Sequence, residues 1–415
     1  MPEPKTKDAP ALEKDDSKSV SLQSKGEINT RLVRSLIFQQ GPISRVEISN
    51  ITQMSLATLT AICAELLESG VVLETDALHP SDNNRGRRRR PLRINSENLG
   101  CISMVCEPGC IDVAVVDLNG DIRWHQTFEV EFEVEPYQIC LRSALAAALA
   151  ASPIETSKLL EIGVAVPDIT KLPDRPAKVD SHAGIWAEIE PGETVKGVAP
   201  LPVFVDKIES LMAIGEMTSG AGQDSQTMLL LSWDNELNGA LVDHGRLIRG
   251  ADSDAAKIGH AWVSDTDTYC SCGLKGCLNI HLASEKIIAQ WQAARLAMGD
   301  NSERIIEDHR KIIELASEGD GIAAGILAES AELLAQVVGP LANILRIDRI
   351  ILSADFGAEN GPMVHPFYAA LRKYVSHSFY RDLEVRSTAL GLAGAHKGVV
   401  AQTAKWHFAM PNSTA

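Results

Sequence analysis

The stretch His260-Ala-Trp-Val-Ser-Asp-Thr-Asp-Thr-Tyr-Cys270-Ser-Cys272-Gly273-Leu-Lys-Gly276-Cys277 decides how the rest of the chain is read. It offers one imidazole and three thiols, a set with which a single tetrahedral Zn²⁺ closes its shell. A closed shell is structural, because no position is left for a reacting water. Gly273 and Gly276 suit a tight turn, since glycine takes φ > 0 without steric cost and lets the flanking sulfurs converge. Three cysteines within eight residues cannot all pair with one another, and disulfides are uncommon in the cytosol. The expectation is structural zinc on His260, Cys270, Cys272 and Cys277.

At 415 residues the chain is too long for one ordinary core and is expected to hold two or three domains. Its 45% hydrophobic and 23% charged residues are those of a soluble globular protein. No apolar run reads as long enough to span a bilayer, and the polar start lacks the apolar core of a signal peptide. The other cysteines (Cys63, Cys101, Cys106, Cys110, Cys140) are scattered and read as reduced thiols. Together these favour the cytoplasm, with no membrane partner. The net charge of -16 is uneven, for Arg85-Gly-Arg-Arg-Arg-Arg-Pro-Leu-Arg93 is densely basic. Screening confines each charge's influence to roughly 8 Å at physiological salt, so a basic patch on an acidic body still engages phosphates.

Residues 1–24, rich in Lys, Asp, Glu, Ser and Pro, read as a disordered tail. Ile28, Leu32, Leu36 and Ile37 then recur at helical spacing up to Gly41-Pro42. Ser44 with Glu47 makes a capping box for a second helix. Ser55 caps a third, with Leu56, Leu59, Ile62, Leu66 and Leu67 as its buried stripe. Val71–Glu74 and Pro91–Ile94 read as strands joined by the arginine-rich loop. Three helices followed by a β-hairpin, over residues 25–95, predict a winged helix-turn-helix whose third helix enters the major groove. Ser55, Ala57, Thr58, Thr60 and Ala61 lie off the apolar stripe, short enough for close approach and hydroxyl bonds. Ser44, Arg45, Arg85, Arg87, Arg88, Arg89 and Arg90 complete the expected DNA contacts. A small helical bundle with a solvated arginine run is the alternative from these residues alone.

From Leu99 the chain alternates strands and helices. Residues 100–106, 111–121 and 122–128 read as an antiparallel meander with Asn119-Gly120 at a turn. Residues 136–151 read as a helix, Ile162–Val166 and Val203–Val205 as buried strands, and Met228–Ser232 and Ile350–Ser353 as further strands. Glu285–Met298, Ile305–Glu318 and Ile322–Leu345 read as helices. The fold class is α/β in two similar lobes, about 96–205 with 390–415 and about 206–389.

The Gly-His followed by Cys-x-Cys-Gly-x-x-Gly-Cys, together with Ser44-Arg-x-Glu-Ile48 and Ser55-x-Ala-Thr-Leu-Thr60, resembles the ROK family of bacterial sugar kinases and repressors of sugar metabolism. The DNA-binding domain places the resemblance in the repressor branch, that of the N-acetylglucosamine and xylose repressors. It runs from about Ile28 to His396. The resemblance implies an actin-like, two-lobed domain over residues 96–415 and the same four zinc ligands.

Against the family's kinases several positions depart. Their Asp-x-Gly-Gly-Thr matches Val105-Cys-Glu107-Pro108-Gly109, where valine cannot hold Mg²⁺, Glu107 repels phosphate and Pro108 offers no N–H. Their second phosphate loop matches Asp234-Asn235-Glu236-Leu237-Asn238, whose two acids oppose a triphosphate, and their late Gly-Gly is Ser353-Ala354. The aspartate that serves as base falls on Ile208, which cannot accept a proton. The expectation is no kinase activity. Sugar-holding positions of the family fall on Lys207, Ile208, Lys257, His260 and Asn279. Either Lys207, Lys257, His260 and Asn279 hold an anionic sugar-derived effector, or the lysines are solvated and the pocket is vestigial.

The function expected is a sequence-specific DNA-binding regulator, a repressor of carbohydrate-related genes. It would act on an inverted-repeat operator as a homodimer or tetramer, because two-fold protein symmetry is mirrored in the half-sites. The other reading is a ROK-fold module that binds or scaffolds a protein partner without sugar or ATP. Steep salt dependence separates the two.

Overall fold

The structure is a computed structural model and describes residues 19–75, 90–167, 181–233, 236–250, 255–300, 305–306 and 308–409. The chain divides into two compact units, residues 1–95 with 404–415, and residues 96–403.

The first unit contains α1 (Ser19–Gln40), α2 (Arg45–Thr52), α3 (Leu56–Glu68), β1 (Val72–Glu74) and β2 (Leu92–Ile94). The first helix begins at Ser19, inside the stretch read from composition as tail through residue 24. Ser44 starts α2 by accepting the Glu47 N–H, while the Glu47 carboxylate accepts the Ser44 N–H at 2.9 Å, so two otherwise orphaned donors are satisfied. Gln53 ends that helix in the left-handed region at φ 58°, and Ser55 caps α3 through the Thr58 N–H. The strands pair antiparallel with Val72 opposite Ile94, and Ile43 bridges to Leu92. Val33, Ile37, Ile48, Leu59, Ile62, Cys63, Leu66 and Leu92 form the core. The stripe on α3 differs from the sequence reading. Leu56 stands at the helix's first residue and is 52% exposed, Leu67 is half-buried, and Cys63 takes a core place instead.

The second unit carries two five-stranded sheets. Its first half holds β3 (Gly100–Glu107), β4 (Cys110–Asp117), β5 (Ile122–Glu129), α4 (Val134–Ala151), β6 (Leu159–Val166), α5 (Ser181–Ile189), α6 (Pro191–Val195), β7 (Val203–Lys207) and α7 (Ile208–Ser219). Its second half holds β8 (Thr227–Trp233), β9 (Leu237–Asp243), β10 (Arg246–Leu247), α8 (Leu278–Leu282), α9 (Ser284–Ala297), α10 (His309–Ser317) and α11 (Gly321–Leu345). There follow β11 (Arg349–Leu352), α12 (Val364–Leu371), α13 (His377–Tyr380), β12 (Glu384–Ser387) and α14 (Ala393–Phe408). The last turns of α14, from Ala404, are grouped with the first unit, where Phe408 stacks on Phe38 at 5.6 Å.

The sheets repeat one topology, β5-β4-β3-β6-β7 and β10-β9-β8-β11-β12, in each of which an antiparallel meander continues into parallel strands. Alternation sends neighbouring side chains to opposite faces. Thus Ile102, Met104 and Cys106 face one core with α4, while Cys101 and Val105 face another that also takes Ile208, Leu211, Ala395 and Val399. Likewise Leu229, Leu231 and Trp233 face the core under α11, and Met228 and Leu230 face the shared one. Burial on both faces is why β3 and β8 are mainly apolar, with Ser103 and Ser232 as interior exceptions. Three expectations are corrected. The strand at 203–207 is an edge strand with Val205 47% exposed. The helix expected from Ile305 begins at His309, capped by Asp308, and leaves Ile305 91% exposed. The helix α11 is long and apolar enough, by length and composition, to cross a membrane. Its Leu327, Ala331, Leu334 and Val338 are instead buried in a core.

The helices α7 and α14 meet through glycines. A Cβ on Gly215 would overlap the Gly394 carbonyl oxygen, and one on Gly398 would overlap the Leu211 carbonyl. Both obstacles are backbone and cannot rotate away. Gly398→Ala is therefore expected to destabilise the protein by about 1–3 kcal/mol in urea unfolding, the range for overpacking. Gly325→Ala, on an open face of α11, should be neutral or stabilising by up to about 1 kcal/mol through helix propensity. Equal effects of the two would refute the close-approach explanation.

Candidate functional site

Residues 260–277 fold as a knuckle closed on itself by backbone pairing. Trp262 bridges to Cys277 and Tyr269 to Lys275, the Val263 N–H donates to the Gly276 carbonyl at 2.8 Å, and the Cys270 N–H donates to the Leu274 carbonyl at 2.8 Å. Gly273 and Gly276 sit at φ +91° and +80°. At Gly276 a side chain would also meet the Trp262 ring. The turns required by the sequence are therefore present, and they bring the four polar side chains to one point.

One ligand atom each from His260, Cys270, Cys272 and Cys277 lies within 4.8 Å of every other. Cys270 Sγ is 3.4 Å from His260 Nδ1, and Cys272 Sγ is 3.5 Å from Cys277 Sγ. With Zn–S near 2.3 Å, tetrahedral ligands stand about 3.7 Å apart, so the cluster has the size of a zinc shell. Burial pushes the Cys277 thiol up to about 12, with the neighbouring sulfurs adding to the shift, and burial raises Cys270 as well. Three sulfurs this close become thiolates only with a cation among them. The donor set and spacing fit a metal, and Nδ1 is the histidine nitrogen that faces it. The eight cysteines form no disulfide.

The knuckle is fastened to the strand beside it by a residue read differently from sequence. Glu236 was expected to repel phosphate. Its carboxylate instead accepts the Ser271 hydroxyl at 2.7 Å and the Asn279 side-chain N–H at 3.3 Å. Asn279, 6% exposed, also accepts the Leu237 N–H at 2.9 Å. Partners 35 and 43 residues apart leave no local spacing signal. Of the four expected effector residues, Lys257, His260 and Asn279 are gathered where the turn Ile258–His260 packs on α8. Lys207 lies at the junction of β7 and α7. Asp234 and Asn235 lie outside the described residues. Val105 and Ile208 are buried in the shared core, and the Ser353 hydroxyl donates to Asp355 at 2.8 Å.

In the first unit Ser55, Ala57, Thr58, Thr60 and Ala61 share an exposed face of α3. The Thr60 hydroxyl donates to the Leu56 carbonyl at 2.7 Å. Ser44 is only 2% exposed and its hydroxyl serves the cap, so it presents nothing outward. Arg45 and Arg90 both pair with Glu74, at 2.8 and 3.3 Å. The Arg45 hydrogen bond, with help from Arg90, keeps the Glu74 carboxyl below the ordinary range. Arg85, Arg87, Arg88 and Arg89 lie outside the described residues. Arg31 and Arg34 of α1 line a groove with Thr58 and Ala61, together with the acids Glu27 and Glu65.

Residues 109–403 match the ROK family, and the chain belongs to it. It is similar to the xylose repressor of Caldicellulosiruptor bescii, 25% identical over 336 residues that cover 79% of this chain and 82% of that protein. It is also similar to the DNA-binding transcriptional dual regulator NagC of Escherichia coli, 22% identical over 364 residues covering 86% and 88%. Among solved structures, a ROK family transcriptional regulator, a homologue of the E. coli MLC protein, matches with TM-score 0.74 at 21% identity over 91% of this chain and 96% of that one. A ROK family glucokinase from Streptomyces griseus matches at TM-score 0.58 and 21% identity, over 74% of this chain and 99% of that one. These two likenesses establish the shared fold.

The full chain is expected to purify with zinc on the knuckle, measured by elemental analysis. Cys277→Ser should lose that metal and about 4 kcal/mol or more of stability, the class of loss that removing a structural metal causes. A chain that unfolds at the same temperature before and after chelation would contradict a structural role.

Proposed function

We propose that this chain is a sequence-specific DNA-binding transcriptional regulator, a repressor of carbohydrate-related genes acting in the cytoplasm. The first unit is a winged helix-turn-helix and the second a catalytically inactive ROK domain stapled by zinc on His260, Cys270, Cys272 and Cys277. The observation that carries this reading is the exposed row of short side chains on α3, at the helix position that enters the major groove in such domains. Ser55, Ala57, Thr58, Thr60 and Ala61 read base edges, and the methyls of Ala57 and Thr58 suit thymine. Arg87 and its neighbours hold phosphate or the minor groove. Arg45 and Arg90 are steadied by Glu74. Relatives named as repressors support the regulatory class.

Buried Val105 and Ile208, where kinases need a metal ligand and a base, support a domain without phosphoryl transfer. Dimers or tetramers of such a domain would place two reading helices on an inverted repeat. An anionic sugar-derived effector, held by Lys207 and Lys257 with His260, would fit the reversed charge of the family's sugar positions. Asn279 holds Leu237 and Glu236 in place beside it.

Selection of binding sites from fragmented genomic DNA tests the proposal. The expected result is an enriched inverted repeat, with log K falling linearly against log salt at a slope of about −0.9 per neutralised phosphate. Combined Arg87→Ala and Arg88→Ala should weaken binding on all sequences and flatten that slope by about 2. No enrichment over random DNA, with and without sugar phosphates and uronates, would refute it.

A further inference from the structure

A second cluster of metal-ligating side chains stands apart from the knuckle, on the face of the first sheet that meets α14. Neighbouring strands supply Ser103 from β3, Asp112 from β4, and His125 and Thr127 from β5, with Asp112 opposite Thr127 in register. His396 arrives from α14, 284 residues from Asp112. Asp112 Oδ1 is 2.6 Å from His125 Nε2, and Asp112 Oδ2 is 3.2 Å from His396 Nε2. One ligand atom from each of the three lies within 4.8 Å of the others.

We propose that Asp112, His125 and His396 form a second metal site, a two-histidine, one-carboxylate set for a divalent first-row transition ion. Adjacent ligands around an ion held at 2.0–2.1 Å stand about 3 Å apart, which is the scale of these contacts. Imidazole and carboxylate together suit zinc, nickel, cobalt and iron(II), and three ligands leave coordination positions open. Those positions face outward along His125, whose side chain is 46% exposed, while the His396 side chain is only 2% exposed.

The surrounding groups orient the ligands as outer partners do in metal sites. Ser103, fully buried, places its hydroxyl 2.8 Å from His396 Nδ1. The Thr127 hydroxyl donates to Asp112 Oδ1 at 2.8 Å. The Asp112 carboxylate thus has Thr127 Oγ1 and His125 Nε2 within hydrogen-bond distance of Oδ1 and His396 Nε2 near Oδ2, which fixes its orientation.

The test uses the full chain with the cysteine knuckle filled by zinc and unbound metal removed. Nickel(II) is titrated by calorimetry and cobalt(II) by its absorption spectrum. The expected result is one further equivalent, with a cobalt spectrum free of the thiolate charge-transfer bands of the knuckle. His125→Gln, at an exposed position, and Asp112→Asn should each abolish the second equivalent and leave the zinc content unchanged. Ser103→Ala should weaken it by about tenfold or more, the usual loss for an outer partner. If the zinc-loaded wild type takes up neither ion, or His125→Gln binds as tightly as wild type, the trio is a hydrogen-bonded clasp and the proposal is wrong.

Discussion

The second unit depends on covering both faces of two five-stranded sheets whose central strands, β3 and β8, are mainly apolar. Each sheet turns one face to its own core, under α4 or α11, and the other to a core shared with α7 and α14. That shared core fills only if those two helices approach closely enough, and Gly215 and Gly398 permit the approach by placing no Cβ against the carbonyls of Gly394 and Leu211. Close packing of this kind transmits strain rather than absorbing it. The positions of β3, β8 and the helix that carries His396 are thereby tied to one another.

Against this scaffold the knuckle is a local device. Its four donors come from eighteen consecutive residues, two glycines set its turns, and Glu236 joins it to β9 through Ser271 and Asn279. Val105 and Ile208 belong to the shared core, and Glu236 is a fastener.

Features carried by short spacing were legible in the sequence. The ligand set of the knuckle, the capping box of Ser44 and Glu47, the meander with its Gly120 turn and the apolar strands could all be read within a few residues. Errors arose where burial is decided by distant partners. Leu56 fits the helical stripe yet lies at the exposed start of α3, and Val205 fits a buried strand yet lies on an edge. Composition hid the start of α1, since Ser, Lys and Gln are equally at home in a tail and in a helix. The grouping of Asp112, His125 and His396 was invisible, because only the fold carries α14 back to the first sheet. The arginines at 85, 87, 88 and 89 were legible as charge, and their geometry lies outside the described residues.

The division of labour between the two units is tested most directly by hydrogen–deuterium exchange on the zinc-loaded full chain, alone and saturated with an operator duplex. Protection on binding is expected in residues 55–61 of α3 and in the arginine-rich stretch 85–93. Protection confined to residues 96–403, with α3 exchanging as in the unbound protein, would contradict a reading helix in the first unit and with it the account given for this chain.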